Sequence, residues 1–294
     1  MSTLMPMSSS SPVLCGRAVP APGAPPVPIS QAEFVLFQRW IFEVAGITLP
    51  GTKQALVANR LARRLALHGL HSYRDYFALL QRPGQAAEVQ VAVDLLTTNE
   101  TYFFREPKHF DFLRQQALGA RGRAQPFRVW SAASSSGEEA YSIAMVLADC
   151  LGDATPWEVM GSDISTRVLQ GAQQAHYPLE RARHIPGHYL KRFCLKGGYE
   201  YLDTLLIKHP LRRRVNFRHI NLNVPLPPVG TFDVVFLRNV MIYFNHDTRR
   251  EVATRVLAAI KPGGHFLVGH SESLTDIVPG VQPLAPSIYR KLPG

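Results

Sequence analysis

The sequence predicts an α/β protein built on a mostly parallel sheet and preceded by a small all-helical domain. Three observations carry that prediction. Between Ile29 and Leu96 apolar residues recur at three- and four-residue spacings, Phe34, Phe37, Trp40 and Ile41 among them, which is the period of a helix buried on one face. From Phe127 onward short apolar runs alternate with longer helical stretches, the rhythm of βαβ units. One of those runs, Val129-Trp130, passes through the small-residue turn Ser131-Ala-Ala-Ser-Ser-Ser-Gly137 into a helix beginning at Glu138 and Glu139. That is how an α/β sheet presents backbone N–H groups to a nucleotide-like ligand.

The elements follow in chain order. Residues 1–28 are dense in Ser, Pro, Ala and Gly and lack the basic start and continuous apolar stretch of a secretory signal, so they predict a disordered tail. Residues 29–96 predict about four helices, interrupted at Pro50-Gly51 and Pro83-Gly84. In the second of these helices Val57, Leu61 and Leu65 share one face while Arg60, Arg63 and Arg64 lie on another, a candidate docking surface. Residues 97–126 form a linker whose start, Thr97-Thr-Asn-Glu-Thr-Tyr-Phe-Phe-Arg-Glu106, supplies polar groups and an arginine to the site. From residue 127 to 294 the predicted strands are Phe127–Ala132, Trp157–Ile164, Val215–Ile220, Phe232–Leu237 and His265–Gly269. The predicted helices are Glu138–Leu151, Thr166–His176 and Asp247–Ile260, and Pro262-Gly263-Gly264 predicts a tight turn into the last strand.

Composition limits the class. No apolar run approaches the roughly 20 residues needed to cross a bilayer, which predicts a soluble chain with no membrane insertion. Cys15, Cys150 and Cys194 are too scattered for CxxC metal spacing or a disulfide framework, which fits a cytoplasmic location. The net charge of +10 calls for an acidic partner but does not choose among nucleic acid, anionic membrane and acidic protein. Two basic clusters stand out: Lys53, Arg60, Arg63, Arg64 and Arg74, in a stretch without Asp or Glu, and Lys208, Arg212, Arg213, Arg214 and Arg218. Each also reads as an ordinary solvated face.

The first turn has one glycine and no lysine, which disfavours both a dinucleotide and a triphosphate. Its small residues still let a ligand approach the backbone, and Glu138 and Glu139 would repel phosphate while suiting a cationic or hydroxyl-bearing ligand. S-adenosylmethionine, with its sulfonium and amino charges, meets that description. Asp163, ending the second strand, is placed to accept hydrogen bonds from ribose hydroxyls, although an acidic residue there also caps the helix that follows. Arg238, Asn239 and Tyr243 follow the strand Phe232–Leu237, at the edge where α/β enzymes gather their site residues.

Taken together, Thr98-Asn-Glu-Thr-Tyr-Phe-Phe-Arg105, Ser131-Ala-Ala-Ser-Ser-Ser-Gly-Glu-Glu139, Arg238-Asn-Val-Met-Ile-Tyr-Phe244 and Gly269-His-Ser-Glu-Ser273 resemble the CheR family of chemoreceptor glutamate O-methyltransferases, over about Ile29 to Leu292. The resemblance implies a Rossmann-like methyltransferase domain with a small β-subdomain insert, at about residues 190–214, behind the helical domain. It implies S-adenosylmethionine as cofactor, S-adenosylhomocysteine as product, and the cytoplasmic helical bundle of chemoreceptors as partner. Carried over by position, Asn99, Thr101, Arg105, Glu139, Asp163, Asn221, Leu222, Arg238 and Asn239 are the implied cofactor residues, and Arg105 and Tyr243 act on the substrate carboxylate. Family members that tether to a receptor's C-terminal peptide often carry a glycine-rich loop in the insert, which Lys196-Gly-Gly-Tyr-Glu-Tyr201 matches in part. The Arg60, Arg63 and Arg64 face would then complement the Glu-rich receptor helices.

Two other classes compete. A nucleic-acid methyltransferase would share the cofactor and suit the basic charge, but the chain has no Asn/Asp-Pro-Pro-Tyr motif and no Pro-Cys nucleophile, so no nucleic-acid partner is expected. A non-catalytic scaffold that senses the nucleotide would keep the pocket, yet Arg105, Glu139, Asp163 and Tyr243 are all present. No metal site is expected: His176, His184 and His188 lack supporting Cys or carboxylate spacing, and His270 reads as a structural hydrogen-bonding residue. Ser134-Ser-Ser136 lacks the G-x-S-x-G setting of a hydrolase nucleophile and reads as a turn.

Overall fold

The computed structural model describes residues 28–293; the tail expected at the N-terminus and Cys15 lie outside the described residues, except Pro28. The first helix, α1 (Gln31–Ala45), opens on a capping box in which Ser30 Oγ accepts from Glu33 N–H and Glu33 accepts from Ser30 N–H in return. It closes at Gly46, whose φ of 70° a residue with a side chain adopts rarely. A Cβ at Gly46 would stand 2.7 Å from atoms of Asn223 and Thr248, so the glycine also lets this helix end approach the later part of the chain. Helices α2 (Gln54–Leu67), α3 (Tyr73–Leu80) and α4 (Ala86–Leu96) complete the domain. Phe34, Phe37, Trp40, Ile41, Val57, Leu61 and Leu65 are all buried in its core, together with Tyr73 and Tyr76.

A further helix, α5 (Pro107–Gly119), lies within the linker and packs on the sheet through Phe110, Leu113 and Ala117. Next come β1 (Phe127–Ser131), α6 (Glu138–Leu151), β2 (Trp157–Asp163) and α7 (Thr166–Gln174). After α7 the chain leaves the main sheet to form β3 (His176–Pro178), α8 (Gly187–Phe193), β4 (Cys194–Lys196) and β5 (Thr204–Ile207), followed by the short α9 (His209–Arg212). It rejoins the sheet as β6 (Val215–His219) and β7 (Phe232–Leu237), then α10 (His246–Ala258), β8 (Ile260–Val268), β9 (Val281–Ala285) and β10 (Ile288–Lys291).

The main sheet has the order β6-β2-β1-β7-β8-β10-β9, parallel from β6 through β8 and antiparallel at the last two strands. Side-chain alternation sends Val129, Val234, Phe236 and Leu267 to the core shared with α5 and α6, and Trp130, Val235, Leu237, Phe266 and Val268 to the core shared with α10. From β1 the chain first builds outward through β2 to β6, and only then returns to place β7 on the other flank of β1. That reversal opens a crevice at the carboxyl ends of β1 and β7, the place where ligands enter such sheets.

Three sequence expectations need correction. The insert forms a separate three-stranded sheet of order β3-β5-β4, and its first strand begins at His176, upstream of the expected 190–214. Alternation over three residues is too short a signal, and His176 had been assigned to the end of α7. Pro262-Gly263-Gly264 is not a turn before the strand but a bulge inside β8: Phe232 pairs with Ile260 and Val234 with His265, so three extra residues loop out at Gly263, φ 74°. The antiparallel edge of β9 and β10 was not anticipated, since Val281–Ala285 is mostly exposed and has no buried alternation to read.

Candidate functional site

The loop after β1 owes its shape to its small residues. Ser135, at φ 48°, and Gly137, at φ 94°, both sit in the left-handed region, and a Cβ at Gly137 would meet Ala172 Cβ at 2.8 Å. Ser134 N–H bonds Ser162 O at 2.8 Å, and Ser135 N–H donates to Asp163 Oδ2 at 2.9 Å. Asp163 Oδ1 accepts from Ser165 N–H, also at 2.9 Å. Burial pushes the Asp163 carboxyl above the usual carboxylate range, against the pull of those amide donors. The helix cap itself belongs to Ser165, whose Oγ takes Val168 N–H. Asp163 therefore braces both loops and retains further lone pairs toward the cavity it lines.

A cavity of about 220 Å³ occupies the crevice between the helical domain and the sheet. Asn99, Thr101, Arg105, Glu139, Asp163, Asn221, Leu222, Arg238, Asn239 and Tyr243 all line it, alongside Ala132, Ala133 and Ser135. The helical domain forms a wall through Ala45, Ile47, Leu49 and Leu96, and it is joined to the sheet there: Ile47 bridges Phe244, and Thr48 N–H donates to Tyr243 O at 2.8 Å. The Asn221 carboxamide is held by its own neighbours, its Nδ2 donating to Val44 O at 2.7 Å and its Oδ1 accepting Asn223 N–H at 2.9 Å. Asn99 is anchored through its carbonyl, which accepts Ser135 Oγ–H at 2.9 Å.

Beneath these residues lies a charged network. Arg238, with 1% of its side chain exposed, pairs with Glu139 Oε2 at 2.8 Å and Glu106 Oε2 at 2.9 Å, and donates to Arg105 O at 2.5 Å. Glu139 Oε1 also accepts Ser131 Oγ–H at 2.7 Å. Asn239 sits at φ 57°, its N–H bound to Glu272 Oε2 at 2.8 Å. Arg238 thus serves less as a ligand arm than as a buried counter-ion that fixes Glu139 and the Arg105 backbone. Arg105 itself is only half-buried, its guanidinium bonded to Glu100 O at 3.1 Å and lying over the Tyr102 ring. Glu138, paired in the sequence reading with Glu139, faces away from the cavity: it is fully buried in an ion pair with Arg181 and accepts Ser136 Oγ–H.

The expected docking face does not exist as one surface. Arg60 turns inward to donate to Leu96 O and Thr97 O, at 3.2 and 2.9 Å, and burial lowers its pKa. Arg64 is tied to the buried Glu88, which Tyr76 also bonds. Only Arg63 of the three is exposed. Three of the five residues in the second basic cluster are similarly committed, Lys208 capping the end of α8, Arg214 pairing with Asp153 and Arg218 bonding Pro228 O. Helical periodicity separates faces but does not say which cations find internal acceptors.

Glu106, His109, Asp94 and Glu272 were missed as site-supporting residues. Glu106 and Glu272 lie in motifs already noted, Thr97–Glu106 and Gly269-His-Ser-Glu-Ser273, whereas His109 and Asp94 have no local signal because their partners are distant in sequence. Glu106, His109 and His270 bring their side-chain donor atoms within 4.8 Å of one another.

Comparison with known proteins matches residues 32–97 to the all-α domain of CheR methyltransferases and residues 99–285 to their S-adenosylmethionine-binding domain. The chain belongs to the CheR methyltransferase family. It is 41% identical to a chemotaxis protein methyltransferase of Klebsiella aerogenes, over 85% of this chain and 86% of that one. It is 38% identical to chemotaxis protein methyltransferase 2 of Pseudomonas aeruginosa, over 97% and 99%, and 40% identical to the Escherichia coli enzyme, over 85% and 87%. The CheR domain boundary between residues 97 and 99 falls within Thr97 to Thr101, a polar run that lines the cavity.

The cofactor of the CheR fold is S-adenosylmethionine, and the residues present fit it. Asp163 and Glu139 place carboxylates at the ends of the first two strands, the loop that follows β1 contains no lysine, and Ala132 and Ala133 leave room for close approach. Among the described residues no helix is long and apolar enough to cross a membrane.

Proposed function

We propose that this methyltransferase esterifies glutamate side chains on the cytoplasmic helical bundle of chemoreceptors, working in the cytoplasm. The observation that supports the reading is the convergence of Arg105 and Tyr243, 138 positions apart in sequence, on the cavity that also carries Glu139 and Asp163. The relatives' names, chemotaxis protein methyltransferases, agree with it.

The bound cofactor supplies an electrophilic methyl group on a sulfonium. A glutamate carboxylate, with an ordinary pKa of about 4.3, is already ionised at neutral pH and needs no general base. The protein's contribution is position: aligning nucleophile and methyl and excluding water offers at most roughly 7–11 kcal/mol. In this reading Asp163 accepts ribose hydroxyls, Glu139 holds the amino group, and Asn221 and Leu222 flank the adenine. Asn99 and Thr101 line the near wall. Arg105 aims the incoming carboxylate through charge-assisted N–H bonds and Tyr243 steadies it through its hydroxyl. A half-exposed Arg105 suits that task, because a fully desolvated cation would over-stabilise the anion and blunt its attack.

The deciding experiment transfers radiolabelled methyl from S-adenosylmethionine to membranes bearing chemoreceptors and treats the product with mild alkali. Label released as methanol supports a carboxyl ester; alkali-stable label, or label on nucleic acid, rejects the substrate assignment. Tight cofactor binding without transfer would support a non-catalytic sensor instead.

A further inference from the structure

Behind the Arg105 segment, on the side away from the cavity, α5 begins and β8 ends against each other. Glu106 stands just before α5 at φ 58°, His109 lies one turn into it, and His270 follows β8. The His109 side chain is 1% exposed, and its Nε2 lies 2.8 Å from Ser287 Oγ. Ser287 Oγ lies 2.6 Å from Pro286 O, and with its hydroxyl directed there the serine oxygen accepts from His109 Nε2–H. In that tautomer the lone pair of Nδ1 points at Glu106 Oε2, 3.4 Å away; among the described residues Nδ1 has no hydrogen-bond partner, while Oε2 meets the Arg238 guanidinium at 2.9 Å. Two buried acceptors facing each other are unfavourable unless something electropositive lies between them.

We propose that Glu106 Oε2, His109 Nδ1 and His270 Nε2 form a binding site for a divalent transition-metal ion, zinc being the ion the donor set suits best. Bonds of about 2.0–2.1 Å at tetrahedral angles put donor atoms about 3.3–3.4 Å apart. The Glu106–His109 edge is 3.4 Å and the Glu106–His270 edge 3.7 Å, and all three atoms lie within 4.8 Å of one another. The contact between His109 and Ser287 is the outer hydrogen bond that fixes a ligating imidazole's tautomer. His270, with 53% of its side chain exposed, gives the ion a path from solvent and leaves a fourth position for water.

Arg238 approaches Glu106 Oε2 to 2.9 Å and opposes a cation, but Glu139 also pairs with Arg238 and Glu272 bonds the neighbouring Asn239 backbone. Three carboxylates against one guanidinium leave the surroundings receptive to positive charge. The ion's role is structural: it fixes Glu106, which orients Arg238, which holds the Arg105 carbonyl.

The test uses the full chain, free of any affinity tag and treated with a chelator, titrated with zinc against a chromophoric competitor and separately with cobalt(II) followed by visible absorption. The expected result is one equivalent of zinc bound at micromolar or lower concentration, with tetrahedral cobalt bands. His270→Ala, at an exposed position that does not threaten folding, should weaken zinc by at least about ten-fold and abolish the bands. His246→Ala, exposed on α10, should do neither. Zinc binding equal in wild type and His270→Ala, or none in either, overturns the site. So does a histidine NMR spectrum of the zinc-treated chain showing a proton on His109 Nδ1.

Discussion

One buried carboxylate braces the junction between the helical domain and the sheet beside the Ile47–Phe244 contact, and its removal yields a measurable prediction. Asp94, on α4, reaches across to cap a helix in the other domain: its Oδ1 accepts Thr166 N–H at 3.0 Å, and its Oδ2 accepts Thr166 Oγ–H at 2.9 Å and Arg167 N–H at 3.2 Å. Thr166 and Arg167 carry orphan N–H groups of the first turn of α7, and Ser165 serves only the third. Gln90 braces the same contact, donating to Asp94 Oδ1 at 2.8 Å and to Ile164 O at 2.9 Å. Asp94→Ala therefore removes the Gln90 bond and the three bonds that cross to α7, leaving two part-buried N–H groups unpaired. At about 1 kcal/mol net for each bond, with the helix-dipole contribution added, the cost is roughly 3–4 kcal/mol. Asp94→Asn keeps one acceptor but turns an NH₂ toward Arg167 N–H, for about half that cost. For a chain of this size the alanine variant should lower Tm by roughly 6–16 °C. Because Asp163 and Ile164 immediately precede the capped helix and line the cavity, cofactor affinity should fall as well. Urea unfolding by tryptophan fluorescence and calorimetric titration of the cofactor read the two effects. A loss below about 1 kcal/mol with unchanged affinity in Asp94→Ala would show that the carboxylate does not hold the domains together.

Other predictions follow from the same geometry. Arg105→Ala should lose most methyl transfer while cofactor affinity changes by less than about three-fold, since the Arg105 backbone is held by Arg238 and its guanidinium, half-exposed beside Glu100 O, is free to meet a carboxylate; steady-state kinetics with near-wild-type turnover would contradict this. At Glu88, burial raises the carboxyl pKa, but hydrogen bonds from Arg64, Tyr76 and His68 outweigh it and bring the value to about 2. A carboxyl depressed in the fold stabilises fully above its unfolded pKa of about 4.3 and loses that contribution as pH falls toward 2, so Glu88→Gln should flatten the urea midpoint between those limits. Charge reversal separates the basic face: Arg63→Glu should leave stability within about 0.5 kcal/mol, whereas Arg64→Glu, aimed at buried Glu88, should cost at least about 2 kcal/mol. If Arg63 still guides an acidic partner, Arg63→Glu should also reduce the salt sensitivity of receptor methylation, measured across a salt series.

The sequence alone determined the α/β class, the four-helix domain before it and the main strands on which the cavity residues sit. It could do so because buried periodicity and small-residue turns are local: Phe34 to Ile41 show a helix without their partners, and Ser131 to Gly137 show a strand-to-helix turn without its ligand. Family motifs named the cavity residues for the same reason, each lying in a short contiguous run. The tertiary structure alone decided what those residues touch. That Arg60 and Arg64 face inward, that Glu138 pairs with Arg181 while Glu139 meets Arg238, and that Glu106, His109 and His270 gather behind the site depend on acceptors up to 164 positions away. No periodicity encodes such pairings, because electrostatic and hydrogen-bond partners are chosen by where the sheet order places strand ends. The sheet reversal that set β7 beside β1 brought Arg238 to Glu139 and Glu106.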